Sequence, residues 1–311
     1  MNSKPILIVP GEPKSIFFEI LFKSLKLNKI KSPLIIICNK KILYKEIKKF
    51  NFRKKVENFD QNIIDKKKIR NKKIYLINIS DDNPKIYIKK CFDCAFLLLK
   101  KGLTNKFING PINKLKTLKK KYLGVTEYIA HSFNEKKFAM LIYNQKLSVC
   151  PITTHLPLSK ISKKINRKLI REKIIIINDF YKNFLGIKAK IAVTGLNPHC
   201  ESILNFNEDD KIILPAIKSL KKRINVQGPF PADTIFLSNN RKKFNVIIGM
   251  YHDQVLGPIK TLYEYDAINI TLGLPFLRVT PDHGPNEKMI GKNKSNPLSL
   301  IKALTFLDTE K

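Results

Sequence analysis

Three times in this chain a short apolar, β-branched run breaks off and a histidine follows within a few residues. Residues 244–249 run into Met250-Tyr251-His252-Asp253-Gln254, residues 190–194 into Gly195-Leu196-Asn197-Pro198-His199, and residues 147–150 into Pro151-Ile152-Thr153-Thr154-His155. Runs of this length and composition read as buried strands. A strand that ends in polar, ionisable side chains is poor core material. In open α/β sheets ligands sit outside the carboxyl ends of the strands, so the pattern predicts both a fold class and the place of the chemistry. Three of only five histidines stand at such ends.

The rest of the chain alternates in the same way. Strands are expected at 5–10, 33–38, 73–79, 107–111 and 267–272, and a hairpin-like pair at 138–143 and 146–150. Helices are expected from about Ser15 and over 41–50, 84–100, 126–132, 166–185, 209–223 and 299–306. Residues 54–73 read as a lysine-rich, solvated surface segment. Gln227-Gly228-Pro229-Phe230-Pro231-Ala232-Asp233-Thr234 is too proline-rich for strand or helix and reads as a shaped loop. Strands alternating with helices at this spacing predict an α/β fold with a largely parallel sheet. A chain of 311 residues is long enough for two subdomains of that kind.

Composition narrows the function less than its extremity suggests. The formal charge is +34, yet only seven of the 59 basic residues are arginine, and lysine is spread through nearly every segment. A nucleic-acid reader concentrates its excess in a patch or motif and favours arginine. The excess is therefore read as compositional drift, with no specific nucleic acid expected. No apolar run reaches the ~18 residues of a membrane span, and the apolar stretch at the N-terminus is too short for a signal peptide. Five cysteines, an odd number in a long chain, predict reduced thiols and a cytoplasmic protein. Glycine-rich phosphate loops, dinucleotide fingerprints, zinc-protease and serine-hydrolase motifs are absent. Cys91-Phe92-Asp93-Cys94 is a lone C-x-x-C inside a predicted helix and reads as two buried thiols.

Three neutral imidazoles gathered from strand ends suit a divalent ion with an open position for substrate. Asp233 and Asp253 are candidates to orient the rings. Spacing alone leaves open three ordinary loop histidines. Lys260, Asn269 and Arg278 follow near the C-terminal strands, and a lysine, an arginine and an ion make a reasonable pocket for phosphate and carboxylate.

These residues stand in a longer series: Gly11-Glu12-Pro13, Asn109-Gly110-Pro111-Ile112-Asn113-Lys114, Thr153-Thr154-His155-Leu156-Pro157-Leu158, Gly195-Leu196-Asn197-Pro198-His199, Gly228-Pro229-Phe230-Pro231-Ala232-Asp233-Thr234, Tyr251-His252-Asp253-Gln254, Asn269-Ile270-Thr271-Leu272-Gly273-Leu274-Pro275 and Asp282-His283-Gly284. In that order they resemble the 4-hydroxythreonine-4-phosphate dehydrogenase family of pyridoxal phosphate biosynthesis, over nearly the whole chain. The resemblance implies an α/β, two-subdomain fold similar to isocitrate and isopropylmalate dehydrogenases, with the active site in the interdomain cleft. The first subdomain would comprise residues 1–118 with 284–311, and the second, carrying the metal and substrate site, residues 119–283.

It further implies a homodimer with a shared active site. His155, His199 and His252 would hold zinc, magnesium or cobalt. Thr126, Lys260, Asn269 and Arg278 would contact a phosphorylated hydroxy amino acid. His283, Gly284 and Asn296 are the expected NAD or NADP contacts, Lys260 the expected proton-transfer group, and Asp253 its alternative. The implied reaction is oxidation of 4-phosphohydroxy-L-threonine followed by decarboxylation to 3-amino-2-oxopropyl phosphate. Two departures bear on the substrate. Gly124-Val125-Thr126-Glu127 has valine where the family has histidine, and the first turn runs Lys14-Ser15-Ile16-Phe17-Phe18 where the family is glycine-rich. The nearest alternative is a sister dehydrogenase on threonate or erythronate 4-phosphate, and the remote one a non-catalytic polyanion-binding protein.

Overall fold

The computed structural model describes residues 3–309 except 61–68, 82, 114–116, 118–121, 123, 202–205 and 282–285. The chain opens with β1, Ile6–Val9, apolar and buried at every position, as a strand covered on both faces must be. α1 (Phe17–Leu27) buries Phe17, Phe18, Ile20 and Leu21 and ends at Asn28. β2 (Leu34–Cys38) is again buried throughout. Asn39 then starts α2 (Lys40–Lys49), its side-chain oxygen accepting the Lys41 and Ile42 N–H groups, which satisfies donors that a helix start leaves open. β3 (Val56–Asn58), β4 (Ile74–Asn78), α3 (Pro84–Lys100), β5 (Lys106–Asn109) and α4 (Val125–Ser132) follow.

β6 (Ala139–Tyr143) and β7 (Ser148–Thr153) form an antiparallel hairpin. α5 (Arg167–Asp179) is capped by Asn166 and runs on into a π-turn at Phe180–Phe184. β8 (Ile191–Thr194), α6 (Leu214–Lys218), β9 (Val226–Phe230), β10 (Val246–Tyr251), α7 (His252–Tyr263) and β11 (Ile268–Leu272) come next, then β12 (Leu277–Pro281) and α8 (Leu298–Asp308).

The chain divides into two compact units, Met1–Ile129 with Pro275–Lys311, and Ala130–Leu274. The first holds strands in the order β3-β4-β2-β1-β5-β12, all parallel. In the second the order is β11-β6-β7-β10-β8-β9, and β6 alone runs against its neighbours. The largely parallel α/β architecture expected from the sequence is what forms. The expected boundaries at 118/119 and 283/284 fall on or beside residues outside those described. Residues 125–129 and 275–281 group with the first unit, because β12 pairs in parallel with β5, Arg278 opposite Phe107.

Three readings need correction. The proline-rich 227–234 segment begins with a strand, β9; it lies at the edge of its sheet, where a missing N–H breaks no ladder. The 54–73 surface segment contributes the short β3. His252 opens a twelve-residue helix, α7, that the sequence reading left undefined, and Pro258 stands inside it. Val255, Leu256 and Ile259 of α7 pack on Val149, Ala192 and Ile247 of the sheet. Each such side chain contributes about 1.5–3 kcal/mol on burial, so α7 and its first residue, His252, are held firmly against the sheet.

Candidate active site

In the second unit β7, β10 and β8 are parallel neighbours in that order. Their carboxyl ends lie along one edge, roughly 4.8 Å apart. His155 follows β7 by two residues, His252 follows β10 directly, and His199 follows β8 by five. The three strand-exit histidines therefore belong to adjacent exits.

The His155 and His252 rings are 6.1 Å apart between centroids, tilted by 37°. That is somewhat wider than the ~5 Å that two imidazoles on one tetrahedral ion would set, so the rings are neighbours rather than a closed pair of ligands. Nδ1 of His252 meets the Asp253 carboxylate at 2.6 Å, which leaves Nε2 as the outward nitrogen. A carboxylate on the far nitrogen is the usual means of fixing a ligating histidine's tautomer. His199 is exposed, with its backbone at φ 55°, ψ 10°. Among the described residues no three His, Cys, Asp or Glu side chains converge closely enough to hold an ion within one chain. The structure thus pairs two of the expected ligands and does not close His199 onto them. Asp233 is exposed and sits near Cys200, whose thiol it helps push up, after burial and Asp209, to about 11.

Lys260 is half-buried on α7, two turns beyond His252. Asn269 lies on β11 opposite Ile142. Its side-chain oxygen is buried and has no hydrogen-bond partner among the described residues, an acceptor suited to a ligand hydroxyl or ammonium.

In the first unit Arg278, 3% exposed, donates from Nε to Asn109 Oδ1 and from Nη1 to Thr126 Oγ1, both at 2.9 Å. Burial lowers its pKa to about 10, and the nearby Glu127 carboxylate opposes that shift. The side chain stays cationic at neutral pH, an orientated charge for an anionic group. Val125, the departure from the family, is the first residue of α4 and half-buried beside Thr126. Asn109 was legible only as part of a motif. Its role is to orient Arg278, and it stands where β5 leaves β1. There Gly110 and Gly11 allow the two chain segments to touch: a Cβ on Gly110 would lie 2.0 Å from the Pro10 carbonyl, and one on Gly11 2.2 Å from that of Pro111.

Of the expected dinucleotide contacts, His283 and Gly284 lie outside the described residues. Asn296 is exposed and accepts the Leu298 N–H at the start of α8. The segment just before it is tied to α1. Lys23 donates to the Asn293 and Ser295 carbonyls, and Glu19 accepts the Ser295 N–H. Cys91 and Cys94 are buried in α3, and burial pushes their thiols up to about 12 and 11; they are packing groups.

The family model for the pyridoxal phosphate biosynthetic protein PdxA matches residues 29–307. The chain belongs to the PdxA family. A 4-hydroxythreonine-4-phosphate dehydrogenase of Sulfurihydrogenibium sp. is 37% identical, over 96% of each chain. A D-threonate 4-phosphate dehydrogenase of Pectobacterium atrosepticum is 32% identical, again over 96% of each. Among solved structures, a 4-hydroxythreonine-4-phosphate dehydrogenase from Klebsiella pneumoniae superposes with a TM-score of 0.82 at 28% identity, over 98% of each chain. An isocitrate dehydrogenase from Methylococcus capsulatus, at 13% identity and a TM-score of 0.51, covers 99% of this chain and 85% of its own and shares the fold alone. PdxA relatives are dehydrogenases, so the oxidoreductase class and the α/β fold expected from the sequence both stand.

Proposed function

We propose that this chain is an NAD- or NADP-dependent, metal-assisted dehydrogenase that oxidises 4-phosphohydroxy-L-threonine, with loss of carbon dioxide, to 3-amino-2-oxopropyl phosphate. The observation that carries the reading is the pairing of His155 with an Asp253-oriented His252 at adjacent strand exits, in a chain of this family. The donor set fits zinc, cobalt or magnesium-type divalent chemistry in which neutral imidazoles face the ion. His155, His199 and His252 would hold it, with histidines contributed by two copies in a homodimer. An ion held there would supply Lewis acidity at the substrate hydroxyl, and a bound dinucleotide the hydride acceptor.

The chain's own residues divide the remaining work. Asp253 keeps the His252 ring in one tautomer. Arg278, set by Asn109 and Thr126, binds an anionic group of the substrate, and Asn269 accepts from a hydroxyl or ammonium. Lys260 donates or accepts the proton, with Asp253 the alternative. The test is stoichiometric: purified protein given 4-phosphohydroxy-L-threonine and NAD should form reduced dinucleotide and carbon dioxide in equal amounts. Chelation should abolish both, and zinc, magnesium or cobalt should restore them. Turnover undiminished by exhaustive chelation would contradict the reading.

Val125 favours one second reading. Valine cannot hydrogen-bond an anionic group as the family histidine would, and a D-threonate 4-phosphate dehydrogenase is 32% identical. A threonate- or erythronate-4-phosphate substrate would require the same site residues.

A further inference from the structure

His199 and the residue after it, Cys200, both lie in the left-handed region, at φ 55° and 61°. L-residues avoid it because Cβ crowds the following carbonyl, and such strain persists only where the surroundings over-determine it. The surroundings here centre on one carboxylate. Asp209 is fully buried, and Oδ1 accepts the Leu196 N–H at 2.8 Å. Oδ2 accepts the Asn197 N–H at 3.1 Å and the Asn197 side-chain amide at 2.8 Å. Every one of these donors belongs to the turn that ends in His199, and among the described residues no salt bridge involves Asp209. The fit is close. A Cβ on Gly195 would lie 2.5 Å from Asp209 Oδ1 and 2.6 Å from Cys200 Sγ.

A second brace links this turn to the other histidines. Gln254, two residues past His252, donates to the Gly195 carbonyl at 2.8 Å and accepts from Thr194 Oγ1 at 2.9 Å and the Met250 N–H at 2.6 Å. The turn bearing His199 is therefore fixed from beneath by Asp209 and from the side by the helix that begins at His252.

We propose that Asp209 is a positioning residue that locks the 195–200 turn in the shape that presents His199 to a divalent ion; this rests on the metal-site reading above. The carboxylate touches neither ion nor substrate. It acts through the backbone, so its removal should alter ion binding in the resting protein, before any turnover.

The experiment uses cobalt(II), whose affinity is read by chelator competition and whose coordination is read from its visible absorption. Wild type is compared with Asp209→Asn, His199→Ala and, as a control for lost stability, Ile270→Val in β11. Asp209→Asn should weaken cobalt binding by about 10–100-fold, the usual scale for losing a group that orients a ligand, and should change the band shape. Ile270→Val should change neither. Should Asp209→Asn fail to fold, Asn197→Ala removes one of the three bonds, together with the same amide's 3.1 Å bond to Glu208 Oε2, and should cost about 5-fold. Wild-type affinity and spectrum in folded Asp209→Asn, or in Asn197→Ala, would overturn the role of Asp209 while leaving the metal site standing. Failure of wild type to bind cobalt, or unchanged binding in His199→Ala, would remove the site itself and the inference with it.

Discussion

Arg278 shows how a single residue's role depends on groups far away in sequence. Its guanidinium is buried, it spends two donors on Asn109 and Thr126, and its planar fork cannot be replaced by a lysine's point charge. Arg278→Lys should therefore keep the charge and lose the geometry. We expect kcat/KM to fall by at least ~100-fold, from ~3 kcal/mol of misplaced charge-assisted bonding, with the fold retained by circular dichroism; near-wild-type kinetics would remove Arg278 from the substrate site. Val125 carries the opposite prediction. On the proposed function, Val125→His would add a bond to an anionic group worth about 1.5–3 kcal/mol. It should lower KM for 4-phosphohydroxy-L-threonine and leave kcat nearly unchanged if the contact is equal in ground and transition states. At this scale the sequence spoke unevenly. Histidines at strand exits are visible because polar residues interrupt apolar runs. Asp209 and Asn109 are not, because their role is defined only by the N–H groups and guanidinium that folding brings to them.

Among the elements, strands and their exits were the most legible, since a doubly covered strand must be apolar at every position and β1 and β2 are. β9 was hidden because a proline-rich run disfavours a strand unless the missing N–H groups fall outside the ladder, and which strand is an edge is decided by the whole sheet. α7 was hidden because its first turn carries the catalytic-looking polar residues and Pro258 interrupts its pattern. The close approach at the β1 and β5 exits gives an element-scale prediction. Gly110→Ala places a Cβ against the Pro10 carbonyl and should cost about 2–4 kcal/mol, the range for large steric defects, measured as a lower denaturant midpoint at unchanged slope. α3 gives another. Cys91 and Cys94 have thiols raised to about 12 and 11 by burial, so the folded state holds protons that the unfolded chain releases near pH ~8.5. Their contribution is complete below that pH and is lost as pH rises toward the folded values. Stability should fall between about pH 9 and 11, less so in a Cys91→Ala, Cys94→Ala variant compared with its own value at neutral pH.

For the molecule as a whole, charge is the most conspicuous property and the least diagnostic. A cavity of about 840 Å³ in the second unit is lined by Lys182, Lys188, Lys218, Lys221, Lys222 and Arg223, with no carboxylate among its described lining residues. Lysine abundance without an arginine-rich reading surface still predicts only non-specific duplex binding, lost by ~200 mM salt in a filter or anisotropy assay; selective binding that survives would contradict it. Among the described residues no helix is long and apolar enough to cross a membrane. The proposed function rests on a small set of residues at the strand exits and around Arg278, and one measurement tests it most directly. The kcat/KM for NAD reduction should be compared on 4-phosphohydroxy-L-threonine and on D-threonate 4-phosphate, with wild type and His252→Ala side by side. The account predicts reduction with wild type, higher kcat/KM on the phosphohydroxythreonine, and collapse of both activities in His252→Ala. Preference for the threonate phosphate would transfer the site to the sister substrate. No reduction with either substrate in metal-replete protein, or full activity in His252→Ala, would contradict the central claim.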